Sequence, residues 1–517
     1  LNATIPQSDL LVAGPYPVTV FSPGPGGGTS TVTKNSTFFV QPPCADSSPE
    51  VFPGVTLFNT VKAQMWYNAG LWWGAFSDNQ GGVYFYKQSS GTFTKGALLD
   101  NNFNGRPDVK WNGTNLFVLV YEFNTLARLY KFSYNSAAET YALLSGFPVS
   151  IPLTGIGIGT SDAQTGSLTL EQDSTGKLWA AYSGTGPGGD TNYHVIWSTS
   201  ADHKSWNTTG SVLASGGSTL TQEVAPIIHF GGNKIGVVWS NQIVKEIAFR
   251  YHVDGDPEST WSTKEVVDFG LGNEVGIGGV ADNHMNIKAA PDGRLFLVAK
   301  DSDAVGYLHL YTRSTAGVWS IPALVDIDPQ AQATRPTLLL DLENSELYVF
   351  YEDATASLMY VSRTSMDAPV FGPTCPYVTQ TFIADITSTK QNLNASMGLM
   401  AAGSTGGATS QIYLNPLTLV AGSGNVPALS GVSPASVGVS GGPFTLSISG
   451  SNFANNAVVY INGSDRPTTF LSSTQLNATI LASDIAGIGT FPITVMNPRG
   501  GTSTAVNLAV NSAIRSL

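Results

Sequence analysis

Asp292-Gly293-Arg294-Leu295-Phe296-Leu297-Val298-Ala299 is a tight turn followed by an aliphatic anchor, an aromatic residue and a run of small and branched side chains. Glycine supplies the positive φ such a hairpin turn needs, and the run behind it has strand propensity. The same arrangement returns around Leu71, Leu116, Leu178, Ile235, Leu347 and, more weakly, Leu399, at intervals of roughly 45 to 62 residues. A repeat of that length with several strand signals per copy is how a β-propeller looks in sequence. The expected fold is all-β: a seven-bladed propeller, with six blades and an irregular tail as the alternative.

The first repeat reads as four strands, 63–67, 71–77, 82–87 and 92–98. The fifth repeats that order at 285–290, 295–300 and 307–312, with an outer strand containing Trp319. The seventh shows three strands, 391–395, 398–402 and 411–414, and a segment near 51–58 is expected to supply its fourth. Early chain would then close the ring against late chain.

Composition narrows the setting. Charged residues make up 12% of the 517, well below the usual quarter. A net charge of −12 and no Lys/Arg cluster argue against nucleic acid, whose binding depends on neutralising phosphates. No apolar run is long enough to span a bilayer as a helix. Low charge with abundant Ser, Thr, Asn and Gly suits a secreted, extracellular or cell-surface protein. The start at Leu1, without Met or signal peptide, reads as processed or truncated. Cys44 precedes the first repeat and Cys375 follows the sixth, so a disulfide between them would staple the seam and imply an oxidising compartment. Two unrelated buried thiols are the plainer reading. Seven N-x-[ST] sequons occur, which matter only in a eukaryotic source.

The two ends of the chain resemble each other. Leu1-Asn2-Ala3-Thr4-Ile5 matches Leu476-Asn477-Ala478-Thr479-Ile480, and at the same offset Gly14, Pro17 and Thr19-Val20 match Gly489, Pro492 and Thr494-Val495. The C-terminal copy is longer, with alternating apolar positions and turn residues every eight to twelve positions, the pattern of a small β-sandwich. Its Ser433-Pro434 start, Gly450–Phe453 and the close at Asn497–Ser503 resemble the IPT/TIG family of immunoglobulin-like domains. That resemblance covers 426–510, and 1–40 as a second half only, and implies an extracellular spacer or interaction module. The organisation expected is a partial TIG-like segment at 1–40, the propeller at 41–422 and a TIG-like sandwich at 423–517. Half a sandwich leaves an apolar face uncovered, so 1–40 suggests self-association through a neighbouring molecule, or else truncation.

Three motifs bear on chemistry. Ser200–Trp206 resembles the Asp-box turn of sialidase-like propellers, which is structural; the central region shares that resemblance weakly. Asp100-Asn101-Asn102-Phe103-Asn104-Gly105-Arg106-Pro107-Asp108 resembles the calcium loops of integrin-type propellers, so calcium on Asp100, Asn102, Asn104 and Asp108 is the one cofactor suggested. An inter-blade turn rich in turn formers is the alternative. Connections from each outer strand to the next inner strand converge on one mouth of the central channel. Arg106, Asn286, Lys288 and Arg335 there are candidate ligand-binding residues, and Glu223, Asp282, His284 and Arg335 candidate catalytic ones. Glu223 with Asp282 or Asp108 could serve a glycosidase. His284 as base, with Arg335 or Lys288 neutralising a uronate, could serve a polysaccharide lyase. A wet channel held by inter-blade hydrogen bonds is the plainer alternative. The reading preferred is a non-catalytic surface module for glycan recognition, adhesion or assembly, with a hydrolase or lyase at the channel mouth as the alternative.

Overall fold

The computed structural model describes residues 14–17, 37–40 and 49–512, apart from 55–61, 154–167, 186–190, 218–223, 271–279, 302–307, 327–331, 420–425 and breaks of one to four residues. Seven four-position antiparallel sheets follow one another along the propeller region. The first comprises Met65–Asn68, Leu71–Ser77, Val83–Ser89 and Thr92–Asp100, close to the strands expected. The second runs from Arg106–Trp111 to an outer position split between Thr140–Leu143 and Val149–Pro152, which pair with opposite ends of Leu126–Asn135. The third to sixth begin at Thr169–Gln172, Ile227–Phe230, Met285–Ala289 and Ala333–Asp341.

Six of the anchors begin or lie at the start of the second strand of their sheet, while Leu399 precedes it and bridges Leu417, and the strand's alternation explains its composition. Leu116, Val118 and Val120 pack against the first sheet, while Phe117, Leu119 and Tyr121 pack against the third. Leu295, Leu297 and Ala299 likewise face the fourth sheet, and Phe296 and Val298 face the sixth. Both faces of these strands are covered by neighbouring blades, so they read as continuous apolar runs. From the second to the sixth sheet the anchor faces the preceding sheet, whereas Leu71 of the first packs with the second.

The seventh sheet closes the ring. It consists of Ile383–Thr387, Ala402–Thr405, Gln411–Leu414 and Glu50–Pro53, the last supplied by the early chain and pairing Phe52 with Ile412. The inner strand therefore lies before the 391–395 expected. Asn394 takes its own turn through hydrogen bonds to the amides of Ser396 and Met397, which diverts that stretch from a strand into a hairpin loop. In the fifth sheet the outer strand is Ala323–Leu324, and Trp319 contributes an isolated bridge to Arg313 instead.

Residues 428–511 form the sandwich. One sheet holds Ala428–Ser433, Phe444–Ser451, Gln475–Ile480 and Thr468–Ser472, and the other is built on Gly489–Asn497 and Val506–Asn511. Leu446, Ile448, Leu476, Ile480, Ile485, Ile493 and Val495 fill its core. Near the N-terminus, Gly14–Pro17 pairs with Thr37–Val40 so that Gly14 opposes Val40 and Pro17 opposes Thr37. The matching residues of the sandwich pair the same way, Gly489 with Val510 and Pro492 with Asn507. The duplication thus extends to strand register. The self-association expected of this segment rests on Ile5, Leu10, Val18 and Val20, which lie outside the described residues. Cys44 lies outside them as well; Cys375 opens the outer strand of the sixth sheet, and no free cysteine occurs among the described residues. Among the described residues no helix is long and apolar enough to cross a membrane.

Candidate functional site

The sandwich covers one end of the channel. Its residues bond to the hairpin turns between first and second strands of several sheets. Asn462 Nδ2 donates to Gly113 O at 3.0 Å, and Ala482 N donates to Ser174 O at 3.2 Å. Thr468 N reaches Pro291 O at 3.4 Å, and Asn392 Nδ2 donates to Asp465 Oδ2 at 3.0 Å. Tyr460, Val458 and Met496 add an apolar seam with the fifth and sixth sheets. Between propeller and sandwich remains a polar cavity of about 130 Å³ lined by Lys110, Glu171, His229, Lys390, Asp465 and Arg466 among others. The opposite mouth, where inner strands begin, is the end the sequence pointed to.

At that mouth the fifth, sixth and seventh sheets bring six charged or ionisable side chains together. His284 precedes the inner strand of the fifth sheet. Its Nδ1 lies 2.6 Å from Asp282 Oδ1, which also accepts the His284 backbone amide at 2.9 Å. Lys300 Nζ sits 3.5 Å from Asp282 Oδ2. Burial lowers the His284 pKa, partly offset by Asp282, so the imidazole is neutral near pH 7. An ionised Asp282 can only accept, so Nδ1 carries the proton and Nε2 is left as a base or acceptor.

Arg335 is the distinctive member. The register of its strand shifts between Thr334 and Thr337, and Arg335 itself has φ of 52°. A left-handed arginine costs on the order of 1–3 kcal/mol, and a register shift of this kind re-aims a side chain. Its Nη1 donates to Glu352 Oε2 at 2.6 Å and its Nε lies 3.5 Å from Asp385 Oδ1. Burial raises the Glu352 pKa against the pull of Arg335. Arg106-Pro107 is the same dipeptide as Arg335-Pro336 but is placed differently: Arg106 pairs regularly with Tyr121 and is buried, with its pKa pushed down to about 10 chiefly by desolvation.

The remaining candidates separate. Asp108 is fully buried; its Oδ1 accepts Ala63 N at 2.8 Å, and its Oδ2 accepts Leu170 N and Lys390 Nζ, both at 2.6 Å. With its oxygens so used it is a clasp between blades, unsuited to acid–base work on a glycan. Asn286 Oδ1 accepts Leu338 N at 3.2 Å, and Lys288 donates to Thr389 O deeper in the channel. Glu223 lies outside the described residues. Lys300, Glu352 and Asp385 were missed; their one signal was a charge within or at the end of an otherwise apolar strand.

The loop singled out for calcium is arranged differently. Asp100 takes Arg128 through both oxygens, at 2.7 and 2.8 Å, and Tyr130 Oη at 2.8 Å. Asn102 donates its amide to Asp100 Oδ1, and Asn104 lies outside the described residues. A guanidinium already balances the Asp100 charge, while Asp108 serves the channel. Among the described residues no group of three or more His, Cys, Asp or Glu side chains could hold a metal ion. With Asp100 held by Arg128 and Asp108 by the channel, EDTA is expected to leave Tm unchanged; a fall on adding EDTA, reversed by calcium, would place the ion in this loop. The Ser200–Trp206 turn is structural: Ser200 Oγ accepts Ser205 N at 3.0 Å and Trp206 Nε1 donates to His203 O at 3.0 Å.

The sandwich's topology and its position in the chain can now be compared with known domains. Residues 427–510 match the IPT/TIG domain model. The IPT/TIG domain is therefore the element that covers the hairpin end of the channel. No curated protein sequence matches the chain. Solved structures similar to it include a PL25 ulvan lyase bound to -[GlcA(1-4)Rha3S]-, with 8% identity over 72% of this chain and 95% of that one, TM-score 0.44. A six-bladed fungal lectin from Aleuria aurantia shares 12% identity over 64% of this chain and 97% of its own, TM-score 0.37. Trypanosoma rangeli sialidase in complex with the inhibitor DANA shares 12% over 58% and 53%, TM-score 0.38. Each likeness is one of fold, at low identity.

Proposed function

We propose that this chain is an extracellular, non-catalytic glycan-recognition module that takes a saccharide at the mouth of its channel opposite the sandwich. The observation that carries the reading is Arg335, held in a left-handed conformation and flanked by Glu352, Asp385 and the Asp282–His284–Lys300 group. Three carboxylates, two cations and a neutral imidazole offer charge-assisted donors and acceptors around one opening, which suits the hydroxyls of a sugar. Strain at a side chain that faces an opening is found where binding requires the geometry. The low charged fraction and the proposed Cys44–Cys375 bridge fit an extracellular setting.

A second reading has its own observation. His284 with a free Nε2, oriented by Asp282 and near the Arg335 charge, is the arrangement a β-elimination on a uronate needs: a base, and a cation on the carboxylate. One experiment weighs both. Binding to immobilised neutral and uronate-containing polysaccharides is measured for the parent, Arg335→Gly and His284→Ala, with ultraviolet absorbance followed for unsaturated products. Glycine keeps the left-handed backbone. The recognition reading expects Arg335→Gly to weaken binding by about 10- to 100-fold, the range of charge-assisted hydrogen bonds, with no absorbance change. Unsaturated product formed by the parent and lost in His284→Ala would replace it with the lyase reading. Binding indifferent to Arg335→Gly would remove the mouth as the site.

A further inference from the structure

The cavity between propeller and sandwich takes its walls from both domains. Lys110, Trp111 and His229 stand on its propeller side, at the hairpin ends of the inner strands of the second and fourth sheets, and Asp465 and Arg466 on its sandwich side. Lys110, Lys390 and Arg466, the cations among its described lining residues, each already hold a carboxylate: Glu171 at 2.5 Å, Asp108 at 2.6 Å and Asp484 at 2.7 Å. Asp465 Oδ2 accepts from Asn392 Nδ2 at 3.0 Å. His229 is the exception. Its side chain is 13% exposed, and its Nε2 is buried without a hydrogen-bond partner, 4.0 Å from Asp254 Oδ2. Burial lowers its pKa against the opposing pull of Asp254 and Glu171, so the ring is neutral near pH 7 and offers one donor and one acceptor. A buried polar atom without a partner calls for a water or a ligand atom.

We propose that this cavity binds one neutral pyranose residue, held by His229 from the propeller and by Asp465 from the sandwich, with the half-buried Trp111 as an apolar wall. Ligand sites favour clefts between domains, where an aromatic side chain and a few polar groups converge. The size agrees: at roughly 10–15 Å³ per water, the 130 Å³ has space for about ten waters, close to the roughly twelve heavy atoms of a hexose. The paired charges argue for a neutral ligand. A second full charge would have to displace a carboxylate from Lys110 or Arg466, whereas a hydroxyl can accept a spare N–H of one group and donate to a spare lone pair of another.

This site lies at the other end of the ring from the mouth and shares none of Asp282, His284, Lys300, Arg335, Glu352 or Asp385, so either site can fail without the other. Because its polar contacts come from two domains, a bound sugar would tie the IPT/TIG domain to the propeller. A ligand that binds only the docked form stabilises docking by mass action, so Tm should rise with sugar concentration.

The test is calorimetric titration of the parent, His229→Ala and Asp465→Ala with D-glucose, D-galactose and D-mannose and with the corresponding uronates, repeated with Arg335→Gly added so that the mouth contributes little. The expected result is binding of at least one neutral sugar, with its uronate at least about tenfold weaker. His229→Ala should weaken that binding about 3- to 10-fold and Asp465→Ala about 10- to 100-fold, the ranges for hydrogen bonds to neutral and to charged groups. No binding by any of the three sugars, equal binding of sugar and uronate, or binding indifferent to both substitutions would overturn it. Should the variants fail to fold, crystals of the parent soaked in the three sugars decide. A pyranose in contact with His229 and Asp465 supports the site. Ordered waters alone in the cavity refute it, and a sugar found only at the mouth refutes it while leaving the mouth reading standing.

Discussion

Asp108→Ala should destabilise the protein by about 3–5 kcal/mol in denaturant unfolding, although Asp108 is not expected to touch any ligand. The carboxylate is fully buried and accepts from Ala63 N, Leu170 N and Lys390 Nζ. These partners come from the approach to the first sheet, from the third, and from the loop after the inner strand of the seventh, while Asp108 belongs to the second. Removing it leaves two amides without acceptors and the Lys390 ammonium with the Leu170 carbonyl but no counter-charge, in a region of low dielectric, and each orphaned group retains its desolvation cost. Asp108→Asn should fall between, because an amide oxygen still accepts one amide while Lys390 loses its counter-charge. A loss below about 1 kcal/mol for the alanine variant would mean that water replaces the carboxylate, and the clasp would be no clasp. Any loss of binding in Asp108→Ala must therefore be read beside its unfolding curve.

The second large effect is expected at the seam. Phe52→Ala should cost about 3–5 kcal/mol, as for other buried aromatic truncations. Phe52 lies on the early strand that completes the seventh sheet, and its ring packs 5.0 Å from Tyr86, 5.6 Å from Phe93 and 6.0 Å from Phe76. It thereby ties the early strand to the first sheet as well as the seventh, within the cluster that spans the closure. The variant should also admit protease between Pro53 and Lys62 earlier than any cut within the second to fifth sheets. Unfolding within about 1 kcal/mol of the parent, with an unchanged cleavage pattern, would show that three strands suffice to close the ring.

What the sequence determined by itself is what short-range physics encodes. Turn chemistry and apolar periodicity are local, so Leu71, Leu116, Leu178, Ile235, Leu295 and Leu347 could be assigned to second strands without knowledge of their neighbours. The sandwich was legible for the same reason, and the repeated register of Gly14 with Val40 and Gly489 with Val510 shows how far the duplication reached. The seventh sheet was harder because Asn394 spends its side chain on a turn, and a polar turn former inside an apolar stretch shifts a strand boundary that periodicity alone would place later.

Tertiary structure decided the rest. Arg106-Pro107 and Arg335-Pro336 are indistinguishable on the page, yet one is buried in regular pairing and the other stands at a register shift with φ of 52°. Asp100 and Asp108 share a loop motif, but Arg128 captures one and the channel the other. The covering of one mouth by the IPT/TIG domain depends on Asn462, Thr468 and Ala482 meeting turns up to about 350 residues away. Contacts of that span leave no local pattern, because each partner is an ordinary surface residue until the ring closes and the sandwich docks.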